Sequence, residues 1–181
     1  MASEISAGND ASGDDPANTK TNAHQTLLSS FPAGSPAATI DIPVPALTLD
    51  FRMSVQLNPK ISVGGGPWGQ RNWISFSGGM WAATWGSGTV VPGGQDTQLV
   101  LHPSLSTHIS TSYLLRTADT PPAHITARTS GWRTGPAGVL ARLADPAQAD
   151  GVDPREYLFR VVVRLETGDA RYKERVNTGV W

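Results

Sequence analysis

Hydrophobic and polar residues alternate with a period of two along most of the chain after residue 40, which is typical of strands with one buried face. Runs rich in β-branched and aromatic residues are separated by Gly, Pro, Asp and Asn at intervals of about ten to fifteen residues. The pattern predicts strands at 46–57, 71–91, 97–103, 107–117, 124–132 and 156–167, and a last one near 175–181. The 71–91 strand is predicted to break near Gly78 and Gly79.

Helical periodicity is confined to one short segment, residues 136–146, which prolines bound on both sides. About seven strands in a chain of 181 residues favour a sandwich or a closed barrel, because both architectures remove exposed sheet edges. Glycines within residues 74–101 indicate bends and bulges that curl a sheet tightly. We therefore expect an all-β fold whose strands coil around an interior, with one short helical turn.

The first 38 residues differ in composition from the rest of the chain. They are rich in Ala, Ser, Asn, Asp, Gly and Pro, and their apolar residues cluster at Leu27, Leu28 and Phe31. So little apolar surface does not offset the entropy lost on ordering the segment. We expect residues 1–38 to be a disordered or loosely docked tail and residues 39–181 to form the folded domain.

Charge and composition narrow the classes of partner. The chain has 14 basic and 15 acidic residues with no run of either sign, so we expect neither nucleic acid nor a membrane surface to be a partner. It has no cysteine, which excludes disulfides and thiolate chemistry. No segment has the pattern of a signal peptide or a membrane-spanning helix. We expect a soluble cytoplasmic protein.

Several catalytic motifs are missing. The "GSG" at 86–88 lacks the strand, turn and helix of a nucleophile elbow, and the "GGG" at 64–66 precedes no helix that could bind phosphate. The four histidines, at positions 24, 102, 108 and 124, show no ligand spacing. We therefore expect neither a metal nor a cofactor.

Three stretches in order carry a family resemblance: "GQRNWISFSGGMWAATWGSGTVVPGGQD", "YLLRTADTPPAHITARTSGW" and "YLFRVVVRLETGDARYKERVNTGVW". From about Leu47 to Trp181 the chain resembles the barrel family catalogued as domain of unknown function 3237. The resemblance implies a single closed antiparallel barrel, lipocalin-like or allene-oxide-cyclase-like, with an apolar ligand in its cavity. It further implies a fungal member that closes rings in natural-product pathways. The chain departs from the family pattern at His108, where an aspartate is usual, and at "ADTPPAH".

A proton-transfer site in an apolar chamber needs a group that titrates near neutral pH and a group that stabilises an oxyanion. His108, on one strand face with Ser110 and Ser112, is the candidate titrating group, although a structural histidine is an equal alternative. Arg71 is the candidate oxyanion holder, and its alternative is a surface salt bridge. Candidates to orient these groups or act as the acid are Asp96 and Glu166. Candidate substrate-binding residues are Trp68, Trp73, Trp81, Trp85, Arg128 and Asn177, with the two serines.

The favoured function is a cofactor-free cyclase or isomerase that closes an ether ring on a small aromatic, polyketide-like metabolite by adding a hydroxyl across a C=C bond. One alternative is a barrel that only binds or carries an apolar metabolite. Another is a structural protein whose tryptophans fill the interior. We also expect a homo-oligomer, because small barrels often pair through a sheet face or a terminal strand.

Overall fold

The structure is a computed structural model, and it describes residues 25–40 and 47–179. The chain divides into two compact units between Leu47 and Thr48, and the predicted boundary lay at 38/39. In the first unit, residues 25–29 are helical and Pro36–Thr39 forms one further helical turn. The first 24 residues of the predicted tail lie outside the described residues.

The second unit is built from eight strands in one antiparallel sheet. They are β1 (Phe51–Leu57), β2 (Ile61–Gly66), β3 (Gly69–Ala83), β4 (Gly86–Val90), β5 (Gln95–Val100), β6 (Thr107–Thr117), β7 (His124–Thr134) and β8 (Leu158–Glu166). Helix Ala137–Ala144 and the 3₁₀ turns Ala149–Gly151 and Pro154–Glu156 connect β7 to β8, and helix Lys173–Val176 follows β8. The described helices include none that is long and apolar enough to cross a membrane.

The long strand β3 organises the sheet. It pairs along one edge with β1 and β2 in succession, and along the other with β4 and β5. Both β4 and β5 then pair with β6, so the pairings β3–β4–β6–β5 close a circuit. Beyond β6 the sheet continues through β7 to β8. The prediction of an all-β antiparallel barrel with a short helix is confirmed.

Glycines curve β3 without ending it, so the predicted break at Gly78 and Gly79 is wrong. The predicted strand 71–91 is divided instead at Thr84 and Trp85, the turn between β3 and β4. The register slips opposite Gln56 and Leu57, which makes a bulge, and the strand runs on to Ala83. Gly79 has a φ of +153°, and a Cβ there would lie 2.3 Å from the Ser54 carbonyl oxygen. The glycine therefore allows β1 to approach β3 closely at the bend.

Two further elements differ from the predictions. Strand β2 was not predicted, because its sequence "ISVGGG" ends in glycines that carry no strand preference. The predicted strand near 175–181 is wrong where the structure describes it, since Lys173–Val176 is helical. The Asn177 side chain fixes this turn against the end of β8: its oxygen accepts from the Thr167 N–H at 2.9 Å, and its amide donates to the Thr167 carbonyl at 3.0 Å.

The apolar core occupies one end of the curled sheet. Leu115, Ile125 and Val176 are fully buried there. Other members of the cluster are Trp81, Val90, Ala127 and Leu165, with Phe51, Met53, Val55, Ala83, Trp85, Tyr113, Val163 and Tyr172 packed against them. Because both β1 and β8 contribute, the two ends of the strand order meet in one core.

Polar contacts fasten the C-terminal helix across this end. Asp50, just before β1, accepts from the Trp85 indole N–H at 3.1 Å and pairs with Arg175 at 3.2 Å. The Thr84 hydroxyl also donates to Asp50, and the Tyr172 hydroxyl donates to Asp119. The start of β1, the β3–β4 turn and the C-terminal helix are thereby joined, so this end of the interior is closed.

The two faces of β6 predict effects of different size for two adjacent leucines. Leu115→Ala removes a fully buried side chain and should lower the free energy of unfolding by about 2–5 kcal/mol. Leu114→Ala, on the outer face at 37% exposure, should change it by less than about 0.5 kcal/mol. Urea unfolding of both variants measures the difference. Equal losses would contradict the inward orientation assigned to Leu115.

Candidate functional site

The inward face of the sheet turns polar away from the core end. Along β6 the inward residues run from Leu115 through Tyr113 and Thr111 to Ile109 and Thr107. The pairing register places Asp96 and Thr129 beside Thr111. The inward polar set is Asn72, Asp96, Gln98, Thr107, Thr111, Tyr113, Thr129 and Arg133. This candidate site therefore lies in the same interior as the apolar core.

Asp96 is the acid of this cluster and is 9% exposed. The Thr111 hydroxyl donates to one carboxylate oxygen at 3.0 Å, and the Gln98 amide donates to the other at 2.7 Å. Burial raises the pKa of Asp96, although these hydrogen bonds and the attraction of Arg133 act in the opposite direction. Asp96 therefore binds a proton more readily than an exposed aspartate does.

Arg133 is the cation of the cluster, and not all of its N–H groups are hydrogen-bonded within the described residues. Its Nη2 donates to the Thr107 hydroxyl at 3.4 Å, whereas its buried Nε–H has no partner among the described residues. Burial lowers the pKa of Arg133, and the charges of Asp96 and Tyr157 oppose that shift. An unsatisfied buried donor is costly, so an oxygen atom brought to this N–H would be bound favourably.

Tyr113 links the polar cluster to the aromatic core. Its ring stacks on Phe76 with centroids 5.0 Å apart and an interplanar angle of 12°. Burial raises the pKa of its phenol, hydrogen bonds with Thr111 and Thr129 lower it, and the charge of Asp96 raises it further. The net shift is upward, so the phenol is neutral near pH 7 and can donate or accept a hydrogen bond.

The polar end of the interior is more accessible than the core end. Phe159 pairs in register with Arg133 and shares its inward face, yet it is 53% exposed. The inward residues Thr129 and Val161 are half-buried, while Leu115 at the opposite end is fully buried. The polar cluster therefore lies toward the less buried end of the barrel.

The expectation that His108 lines the interior requires correction. Arg71, Leu99, His108 and Trp132 lie side by side across four strands on the outer face, the side opposite Asp96. The His108 ring contacts the edge of the Trp132 ring at 5.0 Å. The physical reason is that burial of Ile109 and Leu115 sets the orientation of β6, which turns the even-numbered residues outward.

The other predicted residues on the His108 face follow the same rule. Ser110 and Ser112 are exposed, and the His108 ring nitrogen lies 3.4 Å from the hydroxyl of Ser130 on the neighbouring strand. His108 and Arg71 thus share a face with each other and not with Asp96, so the predicted site of His108, Arg71, Asp96 and Glu166 is not assembled.

The four tryptophans predicted to bind substrate separate into two groups. Trp81 is 3% exposed and packs against Trp85 at the closed end, with ring centroids 5.3 Å apart and ring planes tilted by 38°. Trp73 and Trp68 are 39% and 71% exposed and lie outside the interior. Trp81 and Trp85 line the core end. Trp73 and Trp68 cannot contact a ligand that is bound beside Asp96 in the interior.

Three remaining predicted residues come together elsewhere. Arg128, Glu166 and Asn177 line one depression of about 710 Å³ beside the outer face of β8.

Sequence reasoning missed Arg133 and Tyr113, the partners of Asp96 in the interior. Their place in the alternating pattern could have identified them, because each lies on the same strand face as buried aliphatic residues. No group of three or more His, Asp or Glu side chains in the described ranges is arranged to hold a metal ion.

The raised pKa of Asp96 predicts how stability depends on pH. A raised folded-state pKa contributes stability that is complete below the unfolded value of about 3.8 and is lost as pH rises through the folded value. Relative to Asp96→Asn, the wild-type protein should therefore become less stable as pH rises from about 4 toward neutrality. Chemical unfolding of both proteins across this range provides the measurement.

Asp169→Asn is the matched control with the opposite sign. Hydrogen bonds from Arg171 lower the pKa of Asp169 to about 2, so its contribution is present above pH 3.8 and is lost as pH falls. When chemical unfolding is extended down to about pH 2, the Asp169→Asn difference should shrink as pH falls below 3.8, and it should stay constant above about pH 4, where the Asp96→Asn difference changes. A flat difference for Asp96→Asn would show that this carboxyl is not desolvated.

Comparison with solved structures shows the same architecture in other proteins of unknown function. A protein from Clostridium acetobutylicum ATCC 824 is 28% identical, with a TM-score of 0.61 over 76% of this chain and 86% of its own. A conserved protein from Rhodopseudomonas palustris is also 28% identical, with a TM-score of 0.63 over 72% and 84%.

A beta-barrel like protein from Acinetobacter baumannii AYE is 26% identical, with a TM-score of 0.55 over 77% of this chain and 86% of its own. No curated protein matches the sequence. The model of the family described as "Protein of unknown function (DUF3237)" matches residues 45–181, which include all eight strands. The chain belongs to the DUF3237 family.

Proposed function

We propose that the barrel is a cofactor-free cyclase or isomerase that performs acid–base chemistry on a small oxygenated metabolite in its interior. One observation carries the proposal: the Asp96 carboxyl is buried in the same interior as the Arg133 Nε–H, which has no partner in the described part of the chain. A carboxylate that accepts a proton and returns it, and a cation with a spare hydrogen-bond donor, are the two groups that this cofactor-free proton transfer requires.

The favoured reaction is addition of a substrate hydroxyl across a C=C bond conjugated to a carbonyl. The Asp96 carboxylate accepts the hydroxyl proton as the new C–O bond forms. The π electrons move onto the carbonyl oxygen, where the Arg133 guanidinium stabilises the enolate. Asp96 then returns the proton to the α-carbon, so the product is a cyclic ether isomeric with the substrate and no redox partner is needed.

The physical properties of the two groups suit these roles. A general base works best when its pKa is near the working pH, and burial moves Asp96 in that direction. A guanidinium remains charged while it holds an oxyanion, so it does not consume the proton. Restricting a flexible substrate to a reactive conformation contributes further rate enhancement without added chemistry.

The substrate preference is for an aromatic or otherwise apolar skeleton. The stacked Phe76 and Tyr113 rings border the polar cluster on one side, and Val161 and Phe159 share its inward face on the other. These groups bind a flat apolar body, and the cluster binds its oxygen atoms. This chemistry is consistent with a polyketide-like metabolite.

The second candidate function is a carrier of the same class of metabolite. It is favoured by the aromatic surface, which binds an apolar body whether or not a reaction follows. A carrier would bind the ligand tightly, and substitution of Asp96 would change nothing in the chemical state of that ligand. A measurement of turnover therefore distinguishes the enzyme from the carrier.

Cyclisation of 2′-hydroxychalcone to flavanone tests the proposal, because this aromatic probe holds a phenol within reach of an enone. Wild-type protein should accelerate ring closure and give one enantiomer in excess, as measured by chiral chromatography. Asp96→Asn and Arg133→Met should each lower the rate about 10²-fold or more. Asp96→Asn should retain probe binding, because it keeps the shape of the side chain.

The controls are His108→Asn and Arg71→Met, which alter the outer face alone and should leave turnover unchanged. Loss of turnover in these two variants, with activity retained in Asp96→Asn, would assign the chemistry to the outer face instead. Binding of the probe without any acceleration by the wild type would favour the carrier. Circular dichroism of each variant verifies that it is folded.

A further inference from the structure

The depression beside β8 has no role in the proposed reaction. It measures about 710 Å³ and is formed by outward side chains of β7, both faces of β8 and the segment after the C-terminal helix. Its lining residues are Thr126, Arg128, Val162, Val163, Arg164, Leu165, Glu166, Asn177, Thr178 and Gly179. Its charged residues Arg128, Arg164 and Glu166 face away from Asp96, since all three are outward residues.

Two arginines face each other in this depression. Arg128 and Arg164 are direct partners in the β7–β8 register, so their Cβ atoms lie about 4.5–5.5 Å apart. Neither forms an ion pair within 4.0 Å with any residue that the structure describes. Like charges directly opposite each other destabilise a strand pair, so the protein without a ligand carries an electrostatic cost here.

The amide and hydroxyl groups that neighbour the two arginines already form hydrogen bonds within the protein. Asn177 uses both ends of its amide on the Thr167 backbone, and the Thr178 hydroxyl donates to the Glu174 carbonyl. The Thr126 hydroxyl donates to the Glu166 carbonyl. The two guanidinium groups are therefore the uncommitted donors in the lining, and a ligand that binds here binds them.

The other lining residues indicate the polarity and the net charge of the ligand that fits this depression. Val162 is 52% exposed and supplies apolar side-chain surface, and Gly179 lines the depression beside it. Two guanidinium groups and the single Glu166 carboxylate leave one excess positive charge. That balance suits a monoanion, because one negative charge on the ligand neutralises the excess.

We propose that this depression is a second binding site, which takes a small amphipathic carboxylate. The carboxylate lies between Arg128 and Arg164, where guanidinium groups offer paired N–H donors that match its two oxygens. The apolar body of the ligand lies against Val162 and Gly179. The ligand relieves the repulsion between the arginines, and the site is independent of the interior reaction.

Octanoate is the probe, because it joins one carboxylate to an apolar chain. In a titration of the ¹⁵N-labelled full chain, the Nε–H resonances of Arg128 and Arg164 should shift, and that of Arg160 should not. Acetate and inorganic phosphate should bind more weakly than octanoate. Arg164→Met should weaken octanoate binding about tenfold or more, the loss of one charge-assisted hydrogen-bonded contact.

Arg160→Met is the matched control, since Arg160 projects from the same outer face of β8 but does not line the depression. It should leave octanoate affinity unchanged. A second readout does not depend on a ligand: at low ionic strength Arg164→Met should raise the melting temperature relative to Arg160→Met, and added salt should remove the difference.

Three outcomes would overturn the proposal. One is a shift confined to Arg133, which would place octanoate in the interior. Another is equal weakening by Arg160→Met, which would indicate nonspecific attraction to the basic face. The third is concentration-dependent dimerisation that Arg164→Met abolishes without octanoate binding, which would make the depression an interface between copies. Asp96→Asn should retain octanoate binding, so this site and the interior reaction can fail separately.

Discussion

The orientation of β6 is the constraint on which the rest of the domain depends. Ile109 and Leu115 are 5% and 0% exposed, and their burial fixes every odd-numbered residue of the strand on the inside. Because β6 pairs with β4, β5 and β7, its neighbours must place their own inward residues to match. Asp96 is buried for that reason, and a shift of one residue would exchange the contents of the two faces.

The interior combines two environments that support each other. At the closed end, aromatic stacking around Trp81 and the contacts of Asp50 hold β1, the β3–β4 turn and the C-terminal helix together. At the other end, Asp96 and Arg133 are desolvated, and the Arg133 Nε–H has no partner among the described residues. Unsatisfied polar groups persist only where the surrounding structure is stable enough to impose them. The apolar end therefore makes the polar end possible.

The sequence predicted the strands better than it predicted the site. The limits of β6 were predicted correctly, and the segment 136–146 contains the observed helix. Periodicity shows that a strand has two faces, but in β6 each face holds polar and apolar residues, so hydrophobicity alone did not identify the inner one. His108 was favoured because it shares a face with two serines, and the buried acid instead lies among threonines. The position of Arg133 depends on the β6–β7 register, which no local pattern encodes.

Strand β7 connects the interior cluster to the outer depression. Arg133 points inward and Arg128 outward from the same strand, five residues apart, so their opposite parity gives them opposite faces. Between them lies Gly131, where a Cβ would come within 2.1 Å of the Arg160 carbonyl oxygen. Only glycine allows β8 to approach this closely, and the approach fixes the register that sets Arg128 opposite Arg164 and Phe159 opposite Arg133. One close backbone contact thus positions the lining of both sites.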